Sequence, residues 1–247
     1  RYFEGVISLK YKFLNNIFLI IFILLIILVL GNYLIIKIIN KLDYLNASSK
    51  GKNSELTILI EVDQKRLSLI DRENEEVLDI YDIATGKSSN PTPLGSFKII
   101  EKSHWGEGFG SRWLGLDVPW GIYGIHGTNQ PGSIGRSVSG GCVRMRNTDV
   151  EDLYEKVSTN TQVVIMNGLY GPFGHGFRTL KPGDRGADVL EVQKRLSLEG
   201  YYKSALDGIY GEDMKKALID FLTSKDFHLT DKIDEVVFNE LGIVLMD

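Results

Sequence analysis

The chain has 247 residues, 43% of them hydrophobic and 24% charged, with 26 Gly, 6 Pro and a single Cys. These values admit one or two domains with buried cores and exclude collagen-like, disordered and disulfide-framed classes. Charge is unevenly spread. Residues 1–52 carry seven Lys/Arg against Glu4 and Asp43, which leaves the rest 21 basic and 30 acidic residues of the chain's 28 and 32. An acidic body repels phosphate backbones, so no nucleic-acid partner is expected.

Residues 13–36 are 24 uncharged residues dominated by Ile, Leu and Phe. A helix rising 1.5 Å per residue over that length crosses a hydrocarbon core of roughly 30 Å, so residues 1–54 are expected to hold a transmembrane anchor and its juxtamembrane segment. A cleaved signal peptide competes, but its apolar region normally runs about 7 to 15 residues, and only Ala47, Ser48 and Ser49 offer a cleavage site. Arg1, Lys10 and Lys12 precede the segment while Lys37, Lys41, Lys50 and Lys52 follow it, so charge alone leaves the orientation open.

Short strands come next. Residues 57–62 alternate, 66–70 follow a polar turn at 63–65, and 77–84 follow another polar stretch at 71–76, a period of two that predicts antiparallel hairpins. A Gly/Pro/Ser-rich loop spans 84–95, and further strands are expected at 96–100 and 121–127. In the latter, Ile122, Gly124 and His126 would share one face and Tyr123 and Ile125 the other. Thr148 and Glu151 are spaced as a capping box for a helix to about Val157, and residues 162–166 close the region as a strand.

Residues 168–176 hold four Gly and one Pro, which predicts a linker, drawn at 169–176, after a domain at 55–168. Beyond it the apolar spacing becomes helical: Val189, Val192 and Leu196; Met214, Ala217, Leu218, Phe221 and Leu222; Ile233, Val237 and Leu241. Three short helices are therefore expected over 177–247, with Asp207-Gly208 as a turn and Thr230 as a cap for the third. A freely moving helical domain would supply affinity for an insoluble ligand, and its removal would leave turnover of a small soluble substrate unchanged.

Residues able to act as nucleophile, base or ligand are few. The four His lie 22, 49 and 53 positions apart, and no zinc, calcium, P-loop or dinucleotide pattern is present, so no metal or cofactor is expected. Cys142 stands in Ser139-Gly140-Gly141-Cys142-Val143-Arg144-Met145. A lone Cys is also consistent with a small buried hydrophobe. Here, however, two glycines permit a sharp turn that aims amide N–H groups at one point, and Arg144 would favour the thiolate. His126 lies sixteen residues upstream at the end of a strand, placed to act as base, and a main-chain carbonyl near Gly127 is the candidate to orient its ring. His104 is a candidate to line a cleft, while His175 and His228 are expected to be solvated.

Ile125-His126-Gly127-Thr128 followed by Ser139-Gly140-Gly141-Cys142-Val143-Arg144-Met145 resembles the signature of L,D-transpeptidases with the YkuD-type catalytic domain. Thr92-Pro93-Leu94-Gly95-Ser96-Phe97-Lys98-Ile99 and Phe109-Gly110-Ser111-Arg112-Trp113-Leu114-Gly115-Leu116 are also similar to family segments, so the resemblance covers roughly 56–167. Gly140 stands where many members have His. The resemblance implies a β-sandwich-like catalytic domain within a multi-domain chain. It also implies a Cys142 thioester formed on a peptidoglycan tetrapeptide stem, release of terminal D-alanine, and resolution by a second stem amine into a 3-to-3 cross-link. His126 would move the proton, Gly127 and Arg144 would support the site, Gly140 and Gly141 would line the oxyanion site, and Ser139 and Tyr123 would bind substrate. Acylation by carbapenems is implied as well.

Residues 180–189, 192–196 and 207–211 resemble the three-helix peptidoglycan-binding domain. Because that polymer lies outside the cytoplasmic membrane, the resemblance implies a cell-membrane protein with its N-terminus inside and its catalytic region outside. Two other readings stand beside transpeptidation: a cell-wall cysteine peptidase, disfavoured because such enzymes place Cys well before His, and a non-catalytic wall-binding anchor, which would need neither His126 nor Cys142.

Overall fold

Alternating apolar residues set the first strands. In β1 (Leu56–Glu61) and β2 (Arg66–Asp71), Ile58 pairs with Leu69 and Ile60 with Leu67, and all four side chains are completely buried on one face. Each such burial contributes about 1.5–3 kcal/mol. This computed structural model describes residues 56–245 and Lys37. The expected anchor at 13–36 lies outside the described residues, and among those no helix is long and apolar enough to cross a membrane.

β3 (Glu76–Asp82) completes a meander, and β10 (Gln162–Met166) runs parallel to β1 and antiparallel to β5 (Gly95–Ser103). From β5 the sheet continues through β6 (Trp113–Leu116), β7 (Tyr123–His126) and β9 (Val143–Arg144), giving the order β3-β2-β1-β10-β5-β6-β7-β9. A second, two-stranded sheet pairs β4 (Thr85–Gly86) with β8 (Ser137–Ser139). Side chains from both ends of the eight-stranded sheet, among them Leu67, Leu69, Ile125 and Val143, meet in one core with Val150 and Leu153 of α1 (Asn147–Lys156). The sandwich-like form expected of this domain is therefore one sheet curled about its shared strand β5, where the register shifts between Ile99 and Glu101.

Helix α1 corrects the capping-box expectation. Its N-cap is Arg146, without a side-chain cap bond, so Thr148 lies inside the first turn and its hydroxyl donates to the Asp149 carboxylate instead. The C-terminal region holds α2 (Ala187–Leu198), α3 (Glu212–Ser224) and α4 (Glu235–Glu240) around a core that includes Leu180, Phe221 and Phe238. Asp234, not Thr230, caps α4 by accepting from Val237 N–H at 3.1 Å; Thr230 instead accepts from Lys232 N–H in the preceding turn. The described residues 56–245 belong to one compact unit. Across the glycine-rich stretch Phe173 packs against Phe177 and Phe238, and Ala187, Leu190 and Ile209 lie against the core of the β-domain.

Candidate active site

Strands β7 and β9 run in parallel, with Ile125 opposite Val143 and His126 opposite Arg144. Ile125 and Val143 point into the core, 0% and 1% exposed. By alternation the other face of this pair carries His126 and Arg144, and Cys142 stands in the bend that leads directly into β9. Strand pairing thus brings together residues that are sixteen apart in sequence.

The turn before Cys142 is fixed by two features. Gly141 has φ +117°, a left-handed conformation that favours glycine, and a Cβ there would lie 2.6 Å from the Tyr123 ring. The Ser139 hydroxyl accepts from Gly141 N–H at 3.1 Å and donates to the Cys142 carbonyl at 2.6 Å, while Ser139 itself is only 1% exposed. The Ser139 hydroxyl, expected to bind substrate, here clamps the turn: its proton goes to the Cys142 carbonyl and one lone pair to the N–H of Gly141, an amide expected to line the oxyanion site. Among the described residues no protein acceptor takes the N–H of Gly140 or Cys142. Ser139→Ala is expected to cost about 1–3 kcal/mol, since it leaves buried groups unsatisfied. A thermal-unfolding midpoint equal to that of the wild type would refute the clamp.

His126 is 3% exposed and lies between aromatic rings, stacked on Trp113 with centroids 5.8 Å apart and edge-on to Phe109 at 5.0 Å. Gly124, its neighbour on the strand face, admits the Trp113 ring, which a Cβ would meet at 2.6 Å. The imidazole Nδ1 is 2.6 Å from the Gly127 carbonyl. Burial lowers the imidazole pKa below its ordinary value, and the Arg144 charge adds to this, while the Gly127 and Phe109 main chain favours the protonated ring. Burial likewise pushes the Cys142 thiol up, against smaller opposing effects from the Gly124 backbone and Arg144. The resting pair is consequently a neutral thiol and a neutral imidazole, so the thiol must lose its proton as it attacks. No hydrogen bond joins Sγ to the ring in this structure; Cys142 lies in the bend before β9, the strand paired with the one that ends at His126.

Arg144 is held by paired main-chain bonds with Ala84, at 2.8 and 2.9 Å, and its Nε is buried without a partner. Its charge depresses both the thiol and the imidazole, so Arg144→Gln is expected to raise both midpoints. Iodoacetamide alkylation of Cys142 as a function of pH reads this directly: a wild-type midpoint above the ordinary thiol range, and a higher one in the variant. A midpoint that stays fixed on substitution would remove Arg144 from the electrostatics of the site.

Among the described residues no group of three metal-ligating side chains occurs. His104 is exposed and packs edge-on to Tyr154, His228 is exposed, and His175 lies along a cleft bordered by Tyr123. The aromatic enclosure of His126 was not anticipated from sequence; its signal was the spacing of Trp105, Phe109 and Trp113, with Trp105 stacked on Trp113 and Phe109 edge-on to both.

A thiol on a clamped glycine turn, leading into the strand paired with that of an imidazole held by a main-chain carbonyl, has the parts of a cysteine-dependent catalytic site. Residues 55–165 match the family described as L,D-transpeptidase catalytic domain, and residues 185–224 match a "Putative peptidoglycan binding domain". The chain carries an L,D-transpeptidase catalytic domain followed by a peptidoglycan-binding domain. The "Putative L,D-transpeptidase YkuD" of Bacillus subtilis is 47% identical over 93 residues, covering 37% of this chain and 56% of that protein. Its namesake in Bacillus licheniformis is 41% identical over 109 residues, covering 44% of this chain and 64% of that one. The chain thus spans less than two thirds of either relative. The solved catalytic domain of an E. faecium L,D-transpeptidase is similar with 23% identity and a TM-score of 0.40, over 46% of this chain and 98% of that one.

Proposed function

We propose that this protein is a peptidoglycan L,D-transpeptidase that forms 3-to-3 cross-links through a thioester on Cys142. The observation that carries the reading is the clamped Gly140–Cys142 turn, which leads into the strand paired with that of His126. Sγ attacks the carbonyl of the third stem residue while His126 takes the thiol proton, and the N–H groups of Gly140 and Cys142 receive the oxyanion. Collapse expels the amine of D-alanine, which leaves with the proton. The amine of a second stem then attacks the thioester, gives up its own proton, and releases the cross-link and the free thiol. Match of residues 185–224 to a wall-binding family supports a polymeric substrate outside the membrane, with residues 13–36 as the anchor.

Incubating the full chain with defined tetrapeptide muropeptides, with product masses followed over time, tests the reaction. The expected products are D-alanine and a dimer joined between third residues. Tripeptide without dimer would show water as the acceptor and establish the carboxypeptidase instead. Carbapenem addition is expected to give one covalent adduct per chain by intact mass, and an adduct that persists without Cys142 would place acylation elsewhere.

A further inference from the structure

A cleft of about 1050 Å³ borders Tyr123 and Pro91. These are the groups that face Gly141, whose Cβ would lie 2.6 Å from the Tyr123 ring and 3.3 Å from the Pro91 carbonyl. The cleft is therefore walled by the two residues that pack on the turn carrying the thiol. Its other wall comes from the helical domain, through Arg178 and the loop 183–188.

That wall is seated against the β-domain. Gly208, at φ +67°, rests on the Trp120 ring so closely that a Cβ would meet it at 2.5 Å, and Trp120 is 4% exposed. Gly186 N–H donates to the Gly208 carbonyl at 3.0 Å, which ties the cleft loop to this contact, and Ile209 packs on the β-domain core.

Charge in the cleft opposes that of the chain. The chain is −4 overall, yet the lining holds Lys65, Lys87, Arg178 and Arg185 against Asp184 and Asp188. Arg178 is occupied by those acids, at 2.6 Å to Asp188 and 3.4 Å to Asp184. Lys65 donates to the Val62 carbonyl. Among the described residues the Arg185 guanidinium forms no ion pair, and it donates to the Trp120 carbonyl only at 3.5 Å, the long limit for such a bond. Trp120, whose carbonyl it reaches, and Tyr123 line the same cleft.

We propose that the helical domain completes the substrate cleft and that Arg185 binds a carboxylate of the donor peptide. A guanidinium fork matches a carboxylate with two parallel N–H donors, and a stem ending in D-alanine carries free carboxylates. The proposal rests on the reading of the donor as a peptidoglycan stem. It also reverses the expectation that the helices leave small substrates unaffected, because a short soluble donor already reaches this wall.

Arg185→Gln in the full chain tests it. KM for a tetrapeptide stem is expected to rise about tenfold with kcat changed less than about twofold, the loss of one charged hydrogen-bonding partner. Arg185→Lys should fall between the two. A donor with amidated carboxylates should bind the wild type as weakly as the free donor binds Arg185→Gln, and lose nothing further in that variant. Alkylation of Cys142 should be unchanged. An unaltered KM, or equal losses for free and amidated donors, overturns the role of Arg185. The Kd of the same peptide for full-length Cys142→Ala, with and without Arg185→Gln, separates the two readings. An Arg185-dependent Kd without turnover by the wild type rejects the proposed reaction and keeps the cleft, whereas turnover with an Arg185-independent Kd does the opposite.

Discussion

Cys142→Ala and Cys142→Ser are expected to abolish product formation from tetrapeptide muropeptides while the fold is retained. The thiol is the group asked to form a covalent bond, and no second Cys exists to replace it. Serine keeps the size of the side chain, but its hydroxyl is a far weaker nucleophile at neutral pH when the base beside it is tuned for a thiol. Enzymes accelerate reactions by about 10⁶-fold or more, so residual activity above roughly one hundredth of the wild type would mean that most of the barrier reduction does not pass through Cys142. Retention of structure is expected because the turn is held by Ser139, Gly141 and Tyr123, none of which bonds Sγ. A variant with a wild-type unfolding midpoint and substantial activity would therefore reject the nucleophile itself, not the fold that presents it.

What the sequence made legible follows from how each feature is encoded. Strands β1 and β10 show as alternation because one face of each meets the core and the other does not, whereas β3 leaves Val77, Leu78 and Ile80 exposed. Trp113 to Leu116 is buried at every position, so β6 has no alternation to display, and β4, β8 and β9 are two or three residues long. Cys142 and His126 stood out through scarcity of reactive side chains and through the glycines beside them. The double use of the Ser139 hydroxyl was hidden, because it depends on the path of a turn and not on residue type. Seating of Gly208 on Trp120 was hidden for another reason: it joins residues 88 positions apart that no periodic pattern relates. The modular picture drawn from the glycine-rich stretch at 168–176 rested on local composition, whereas the cleft wall depends on that distant contact.

His126→Ala is expected to slow acylation by roughly 10² to 10⁴, the range for loss of a general base. Thiol and imidazole are both neutral at rest, so on the proposed mechanism each turnover moves a proton from Sγ to the buried ring at the moment of attack. Carbonyls of Gly127 and Phe109 favour the imidazolium that forms, which offsets the burial that disfavours it in the resting state. Because burial holds the imidazole below its ordinary pKa, the base form persists into mildly acid solution. The wild-type acylation rate should therefore hold through about pH 6.5, the ordinary imidazole value, and fall only below it. Removal of the ring leaves a space beneath Trp113, so His126→Gln serves as the companion variant that fills it. Both should lose this acid limb as well as the rate. Stopped-flow acylation by a carbapenem between pH 4 and 8 measures the two effects together, and a variant with unchanged rate at neutral pH, or with the same acid limb as the wild type, would show that another group takes the thiol proton.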